Sequence, residues 1–178
     1  MMRCNNVTVN ATETITVKPG QLVGLAVNAS QSAIPSIYHT GPAALYLSKA
    51  AGLAQDYVGD GDWIKFASWG PTYNPFNFTC TNATELTALL PNIPSGEYLL
   101  RAEHSAVHDI NSPQFFIGCA QIKVENPGTP VDLPAGVKIP GYVTGKEPSF
   151  VFNISAPDIT YYPMPAPPVA DLPVVVYP

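Results

Sequence analysis

Residues 94–124 read PSGEYLLRAEHSAVHDINSPQFFIGCAQIKV, and they decide the fold class. Pro-Ser-Gly at 94–96 is a turn signal, and residues 97–104 follow it as an extended, apolar-rich segment. Residues 119–124 alternate between apolar and polar side chains, which places the apolar ones on one face. The stretch therefore predicts two β-strands, because no apolar stripe with helical spacing runs through it.

Short extended segments bounded by proline, glycine and aspartate recur on both sides of this stretch. We predict further strands at residues 14–17, 21–27, 42–49, 63–66 and 149–154. Many short strands without intervening helices are typical of a sandwich or barrel. We therefore predict an all-β fold: an immunoglobulin- or fibronectin-like antiparallel β-sandwich with long loops. Residues 1–178 would form a single domain, with a proline-rich tail at 163–178.

The composition excludes several classes of function. Charged residues make up 12% of the chain, where globular proteins average about 25%. A net charge of −5 with only eight Lys and Arg residues leaves no basic surface for nucleic acid and no polybasic patch for an anionic membrane. No apolar run approaches the roughly 20 residues that a membrane-spanning helix needs.

Sequons and cysteines indicate a secreted, extracellular glycoprotein. Asparagine stands two residues before serine or threonine at six positions: Asn6, Asn10, Asn28, Asn77, Asn82 and Asn153. Three cysteines allow one disulfide and a leftover thiol, or a chain that lacks a partner cysteine. The start, Met-Met-Arg-Cys, has no signal-peptide pattern, so we expect the natural N-terminus to lie upstream.

The three histidines are the candidates for chemistry. His104 and His108 are four residues apart, but on a strand that spacing spans about 13 Å and cannot place both rings on one metal ion without a bend. We therefore predict that one histidine of this pair is buried and hydrogen-bonded and that the other is exposed. His39 lies in a loop, where a histidine is usually solvated. Asp60 and Asp62 read as turn residues, so the residues alone predict no definite reaction.

Five segments of the chain resemble the fungal lytic polysaccharide monooxygenases of auxiliary activity family 9, once called glycoside hydrolase family 61. These segments are Met2–Asn5, His39–Ala50, Gly59–Lys65, Pro94–Val124, and a closing set of residues at 142–148 and 162–167. The resemblance covers nearly the whole chain. It implies a copper monooxygenase-like catalytic domain.

The resemblance also implies a copper cofactor, one ion held in a histidine brace. In the family, an N-terminal histidine supplies its amine and a ring nitrogen, and a second histidine supplies the third nitrogen. His39 matches that second histidine. His108 and Gln114 match the outer-shell pair beside the copper, and Phe116 stands where the family usually has an axial tyrosine. These four residues are the predicted metal-binding and catalytic set.

Two further expectations follow from the resemblance. Tyr162 matches an aromatic residue of the flat face that stacks on glucose rings, although an ordinary half-buried tail residue is the alternative. Cys4 and Cys119 match a family disulfide, which would leave Cys80 unpaired.

The family activity is oxidative cleavage of cellulose or a related β-glucan at C1, C4 or both. It uses O2 or H2O2 and an external electron donor such as cellobiose dehydrogenase or a small reductant. This chain begins Met-Met rather than with histidine, so we expect roughly 50 to 60 residues, the first strand or strands and two copper nitrogens to be missing, with activity impaired. The alternative is a non-catalytic, secreted glycan-binding or surface protein derived from the family. A hydrolase is the remaining class of enzyme.

Overall fold

The computed structural model describes residues 3–5, 13–30 and 33–175. Within these ranges there are ten strands and one short 3-10 helix at Ala54–Asp56. The strands are β1 (Ile15–Val17), β2 (Leu22–Ala26), β3 (Ala43–Lys49), β4 (Asp62–Trp69), β5 (Pro71–Tyr73), β6 (Phe76–Phe78), β7 (Glu85–Leu89), β8 (Gly96–Ala106), β9 (Gln114–Val124) and β10 (Val137–Lys138). In this part of the chain no helix is long and apolar enough to span a membrane.

Six strands form the main sheet, in the order β1-β9-β8-β3-β4-β10. Its centre is the antiparallel pair β8 and β9, eleven residues each, which stay in register from Gly96 opposite Val124 to Ala106 opposite Gln114. β1 pairs with β9 in the parallel direction. Residues 94–124 therefore form the hairpin at the centre of the sheet.

The β2–β7 pair lies across one face of this sheet. Val23 of β2 and Leu86 of β7 share the larger hydrophobic core with Leu45 and Leu47 of β3 and Leu100 of β8. Two sheets with their apolar faces together form a sandwich, so the predicted all-β sandwich is confirmed.

The opposite face of the main sheet carries a second, smaller core built around Tyr46 and Trp63. The predicted Cys4–Cys119 disulfide forms here and joins the segment 3–5 to β9. Arg101 crosses the same region, and its Nε donates to the carbonyl of Arg3 at 2.7 Å. The covalent bond and this hydrogen bond together hold the early segment against the sheet.

A buried ion pair lies in this second core. Arg101 and Glu103 are 0% and 3% exposed, and the guanidinium Nη2 is 2.6 Å from Glu103 Oε2. The hydroxyl of Tyr142 donates to the same carboxylate oxygen. Burial and the Glu103 charge raise the pKa of Tyr142 above its usual range, so this phenol remains protonated.

The proline-rich tail packs against the sheet over its described part. Lys65 of β4 is 3% exposed, and its Nζ donates to the carbonyl of Pro165 at 2.7 Å. Burial lowers the pKa of this amine to about 8, against a smaller opposing effect of Glu103. Asn92 N donates to the carbonyl of Pro173 at 2.8 Å.

The sequence reading missed or misplaced several elements. The strand predicted at 149–154 is wrong: these residues form turns and irregular structure around Phe150, which is 1% exposed. β5, β6, β7 and β10 lie outside the segments predicted as strands. The chain bends at Gly59, whose φ is +70°, and at Gly61, but Asp62, which the sequence predicts as a turn residue, is the first residue of β4.

Gly59→Ala should lower the free energy of unfolding by about 2 kcal/mol, because a left-handed backbone disfavours a side chain. A Cβ there would also lie 2.8 Å from Cζ2 of Trp63. Gly52→Ala is the matched control, since no atom lies within 4 Å of its Cβ position; we expect a change within about 0.5 kcal/mol. Urea unfolding measures both, and equal effects would contradict the turn geometry.

Glu103→Gln should lower the free energy of unfolding by about 3 kcal/mol, because it leaves the buried Arg101 charge without its carboxylate. Lys123 and Glu125 form a matched exposed pair at 3.0 Å, with both side chains 50% exposed. Glu125→Gln should change stability by less than about 1 kcal/mol. Similar losses in the two variants, measured by denaturant unfolding, would refute a special role for the buried pair.

Candidate active site

His39 lies in a loop that backbone hydrogen bonds hold on two sides. Ile37 N donates to the carbonyl of Ala83 at 2.8 Å, on the side of the 80–83 turn. Val107 N donates to the carbonyl of Thr40 at 2.9 Å, at the end of β8. Gly41 allows the close approach, because a Cβ there would lie 1.9 Å from the carbonyl oxygen of Ser105. The loop therefore has a fixed position relative to β8.

The structure brings three of the predicted residues together at the surface. The rings of His39 and His108 are stacked, with centroids 4.5 Å apart and planes 9° apart. The Phe116 ring stacks 5.4 Å from His39. His108 follows β8 by two residues, and Phe116 lies on β9, so the hairpin places both beside the His39 loop.

Gln114 is the first residue of β9, opposite Ala106. It is exposed and lies two residues before Phe116. Alternate residues of a strand point to the same face, so Gln114 and Phe116 share a face of β9. His108 and Gln114, the pair predicted to lie beside the copper, are therefore at the same end of the hairpin.

His104 is the buried histidine of the pair and His108 is the exposed one, as predicted from the sequence. His104 Nδ1 is 3.2 Å from the carbonyl of Pro42, and the His104 ring stacks 5.8 Å from Phe116. Burial lowers its pKa to about 4, so its ring is neutral at neutral pH. Burial and then the neighbouring His108 also lower the pKa of His39, which favours the neutral form that metal ligation requires.

These residues do not make a complete copper site on their own. Among the described residues, no group of three or more His, Cys, Asp or Glu side chains is arranged to hold a metal ion. His39 is the single predicted ligand there, and Phe116 offers a ring without a donor atom. A copper site of useful affinity needs several nitrogen donors, so the donor set present here does not fit copper by itself.

Tyr162 does not provide the exposed stacking face that the sequence predicts for it. The residue is 2% exposed, and its hydroxyl donates to the carbonyl of Ser149 at 2.7 Å. Its ring packs edge-on against Phe78 and Phe152, at 5.0 and 5.4 Å. The ring is therefore part of the core, whereas Tyr161 beside it is 66% exposed.

Sequence reasoning missed Tyr38 as a site residue, and it identified Cys80 correctly as the unpaired cysteine but not its contact beside the His39 loop. Tyr38 is 50% exposed, and its ring centroid is 4.1 Å from that of His39. Its position next to His39 in the chain was the available signal. Cys80, the free cysteine, is 1% exposed, and its thiol donates to the carbonyl of Gly41 at 3.2 Å. That contact joins distant segments, and no local pattern indicates it.

The chain is similar to several known proteins. The family model described as Auxiliary Activity family 9 (formerly GH61) matches residues 1–162. AA9 family lytic polysaccharide monooxygenase E of Podospora anserina is 38% identical over 174 residues, covering 94% of this chain and 56% of the relative. AA9 family lytic polysaccharide monooxygenase C of Emericella nidulans is 36% identical over 178 residues, covering 94% of this chain and 74% of the relative.

Among solved structures, a cellulose-active polysaccharide monooxygenase from M. thermophila is similar, with a TM-score of 0.78 and 28% identity. The match covers 96% of this chain and 79% of that one. The chain spans only about half the length of some of the curated relatives, 56% and 52% in two cases.

The Cys80 thiol should react slowly in the folded protein. Burial raises its pKa to about 11 from the ordinary 9.0, so at pH 8 the folded protein keeps the thiol protonated as well as enclosed. We expect slow labelling by a thiol reagent under native conditions and rapid labelling of one thiol per chain in denaturant.

The same pKa shift predicts a pH dependence of stability. Above pH 9 the unfolded chain loses the thiol proton while the folded chain keeps it, so the free energy of unfolding should fall towards pH 11. Cys80→Ala removes the thiol and with it this pH dependence. The difference between the free energies of unfolding of the two proteins, measured against pH, therefore gives the contribution of the thiol. Rapid native labelling, or parallel pH curves for the two proteins, would contradict the assigned burial.

Proposed function

Because the chain belongs to Auxiliary Activity family 9, we propose that it forms the larger part of a secreted, copper-dependent monooxygenase domain that cleaves cellulose or a related β-glucan. The observation that carries the proposal is the surface cluster of His39, His108 and Phe116 at the end of the central hairpin. O2 or H2O2 and an external electron donor would be the co-reactants.

Each residue of the cluster has a role that its position supports. His39 supplies one imidazole nitrogen to copper. His108 stacks on the His39 ring and fixes its orientation, while Gln114 presents an amide from the same end of β9. Phe116 provides an apolar ring beside His39 and the buried His104. The other two nitrogens would be the amine and a ring nitrogen of the N-terminal histidine that the family resemblance implies.

An exposed aromatic surface around His39 suits a polysaccharide. Tyr38 and Phe116 are 50% and 47% exposed, and both rings contact the His39 ring. Sugar rings present apolar C–H faces that pack on such aromatic groups. Tyr161 is a further exposed ring, whereas Tyr162 beside it is buried.

A non-catalytic glycan-binding protein is the second candidate, because the exposed rings of Tyr38 and Phe116 could contact a glycan without a metal ion. The two candidates differ in what the aromatic surface and His39 do. In a binding protein, loss of Tyr38 would matter and loss of His39 would not. In a monooxygenase, both would matter once the copper donors are complete.

The 178-residue chain on its own should bind copper weakly, with a dissociation constant above about 1 μM, because one predicted imidazole donor is too few. His39→Ala should abolish this binding, and His108→Ala, an outer-shell change, should retain most of it. Calorimetry and copper electron paramagnetic resonance measure both. A tight site with one equivalent of copper, or equal binding by His39→Ala, would contradict the assignment.

The unsubstituted 178-residue chain should release no oxidised oligosaccharides from cellulose in the presence of ascorbate and H2O2. Mass spectrometry of the soluble products measures this. Sedimentation of the chain with cellulose should be weakened by Tyr38→Ala and unaffected by Leu53→Ala, an exposed apolar residue elsewhere. Reducing sugars released in metal-free buffer would indicate a hydrolase and refute both candidates.

A further inference from the structure

Four of the six sequons lie in the described parts of the chain, and all four are exposed. Their asparagines are Asn28, Asn77, Asn82 and Asn153, and the hydroxyl residues two positions later are exposed as well. Asn6 and Asn10 lie outside the described residues. Exposure shows that a glycan would fit at each of the four, but it does not predict which of them are glycosylated most fully.

Local hydrogen bonding separates Asn28 and Asn153 from Asn77. At Asn28, the side-chain Oδ1 accepts both the N–H and the hydroxyl of Ser30, at 3.0 and 2.7 Å. At Asn153, Oδ1 accepts the N–H of Ser155 at 3.0 Å. Both are Asx turns that span three residues. Such a turn needs no tertiary contact, so it can form in a chain that is still unfolded.

The side-chain nitrogen of these two asparagines is available for reaction. Among the described hydrogen bonds, none uses Nδ2 of Asn28 or Asn153. Asn126, which is not in a sequon, shows the contrast, because its Nδ2 donates to Asn92 Oδ1 at 2.7 Å and to the Ile93 carbonyl at 2.8 Å. Asn28 and Asn153 therefore combine a free nitrogen, an oriented amide oxygen and an exposed hydroxyl residue.

Asn77 has a different arrangement. Its Oδ1 accepts the N–H of Phe78 at 2.9 Å and the hydroxyl of Thr81 at 3.0 Å. The sequon hydroxyl of Thr79 instead donates to the Gly70 carbonyl at 3.0 Å. The middle residue, Phe78, is 1% exposed. The contact with Gly70 depends on the folded hairpin, so the Asn77 sequon has no local turn linking its asparagine and its threonine.

We propose that Asn28 and Asn153 are N-glycosylation sites with higher occupancy than Asn77, an inference that rests on the proposed secretion. The donor would be a lipid pyrophosphate-linked oligosaccharide. Asparagine Nδ2 attacks the anomeric carbon, and a C–N bond forms as the bond from that carbon to the pyrophosphate oxygen breaks. The lipid pyrophosphate leaves with the electron pair, the amide loses one proton to solvent, and nothing is oxidised or reduced.

The test is cell-free translation of the 178-residue chain behind a supplied cleavable leader, with microsomes present. All chains carry Asn6→Gln and Asn10→Gln, so the sequons outside the described residues do not contribute. Ser30→Ala and Ser155→Ala should each remove one glycan, seen as a mobility step that endoglycosidase abolishes. Ser30→Thr and Ser155→Thr keep the sequons and should keep the glycans. Thr79→Ala should change the pattern least.

Peptide mapping by mass spectrometry then gives the occupancy of each asparagine without requiring a folded product. Higher occupancy at Asn28 and Asn153 than at Asn77 supports the proposal. An unmodified Asn28 or Asn153, or occupancy at Asn77 equal to theirs, overturns it. Because the leader is supplied and copper is not involved, this failure would be distinguishable from failure of the proposed function, which the copper titration reports.

Discussion

The pairing of β8 with β9 over eleven residues is the interaction on which the rest of the structure depends. Its register sets His104 opposite Phe116 and Ala106 opposite Gln114, and thus places the site residues at one end of the hairpin. A slip of one residue would turn every side chain of β9 to the other face and move Phe116 away from His39. The site is therefore specified by the strand register rather than by a loop alone.

The two faces of the main sheet are covered by different kinds of contact, apolar on one and polar on the other. One face packs against β2 and β7 and forms the larger apolar core, which accounts for most of the burial. The other face holds polar groups, with Arg101 and Glu103 paired under Tyr142 and the early segment fastened by the disulfide. A buried pair of this kind does not add much stability over an apolar one, but breaking it is costly. The charged face therefore constrains which segments can cover it.

Sequence reasoning was strong where alternation and turn signals coincide, and weak elsewhere. The hairpin 94–124 and β3 were found because their apolar segments are bounded by Pro and Gly. The segment 149–154 alternates too, but its Phe150 and Phe152 are held by Phe115 and Tyr162 in irregular structure, which no local pattern reveals. Tyr161 and Tyr162 are chemically identical neighbours, and only the fold decides which one is buried. The clustering of His39 with His108 followed from the family resemblance, because residues 69 positions apart carry no shared local signal.

The central claim is that His39 is one ligand of a copper site whose other nitrogens belong to an N-terminal histidine. The most direct measurement is the first residue of the mature secreted protein, by mass spectrometry, together with the 5′ end of its transcript. We predict upstream codons for a signal peptide that ends just before a histidine. A mature protein that begins at Met1 would contradict it, and the function would then lie in glycan binding rather than in oxidation.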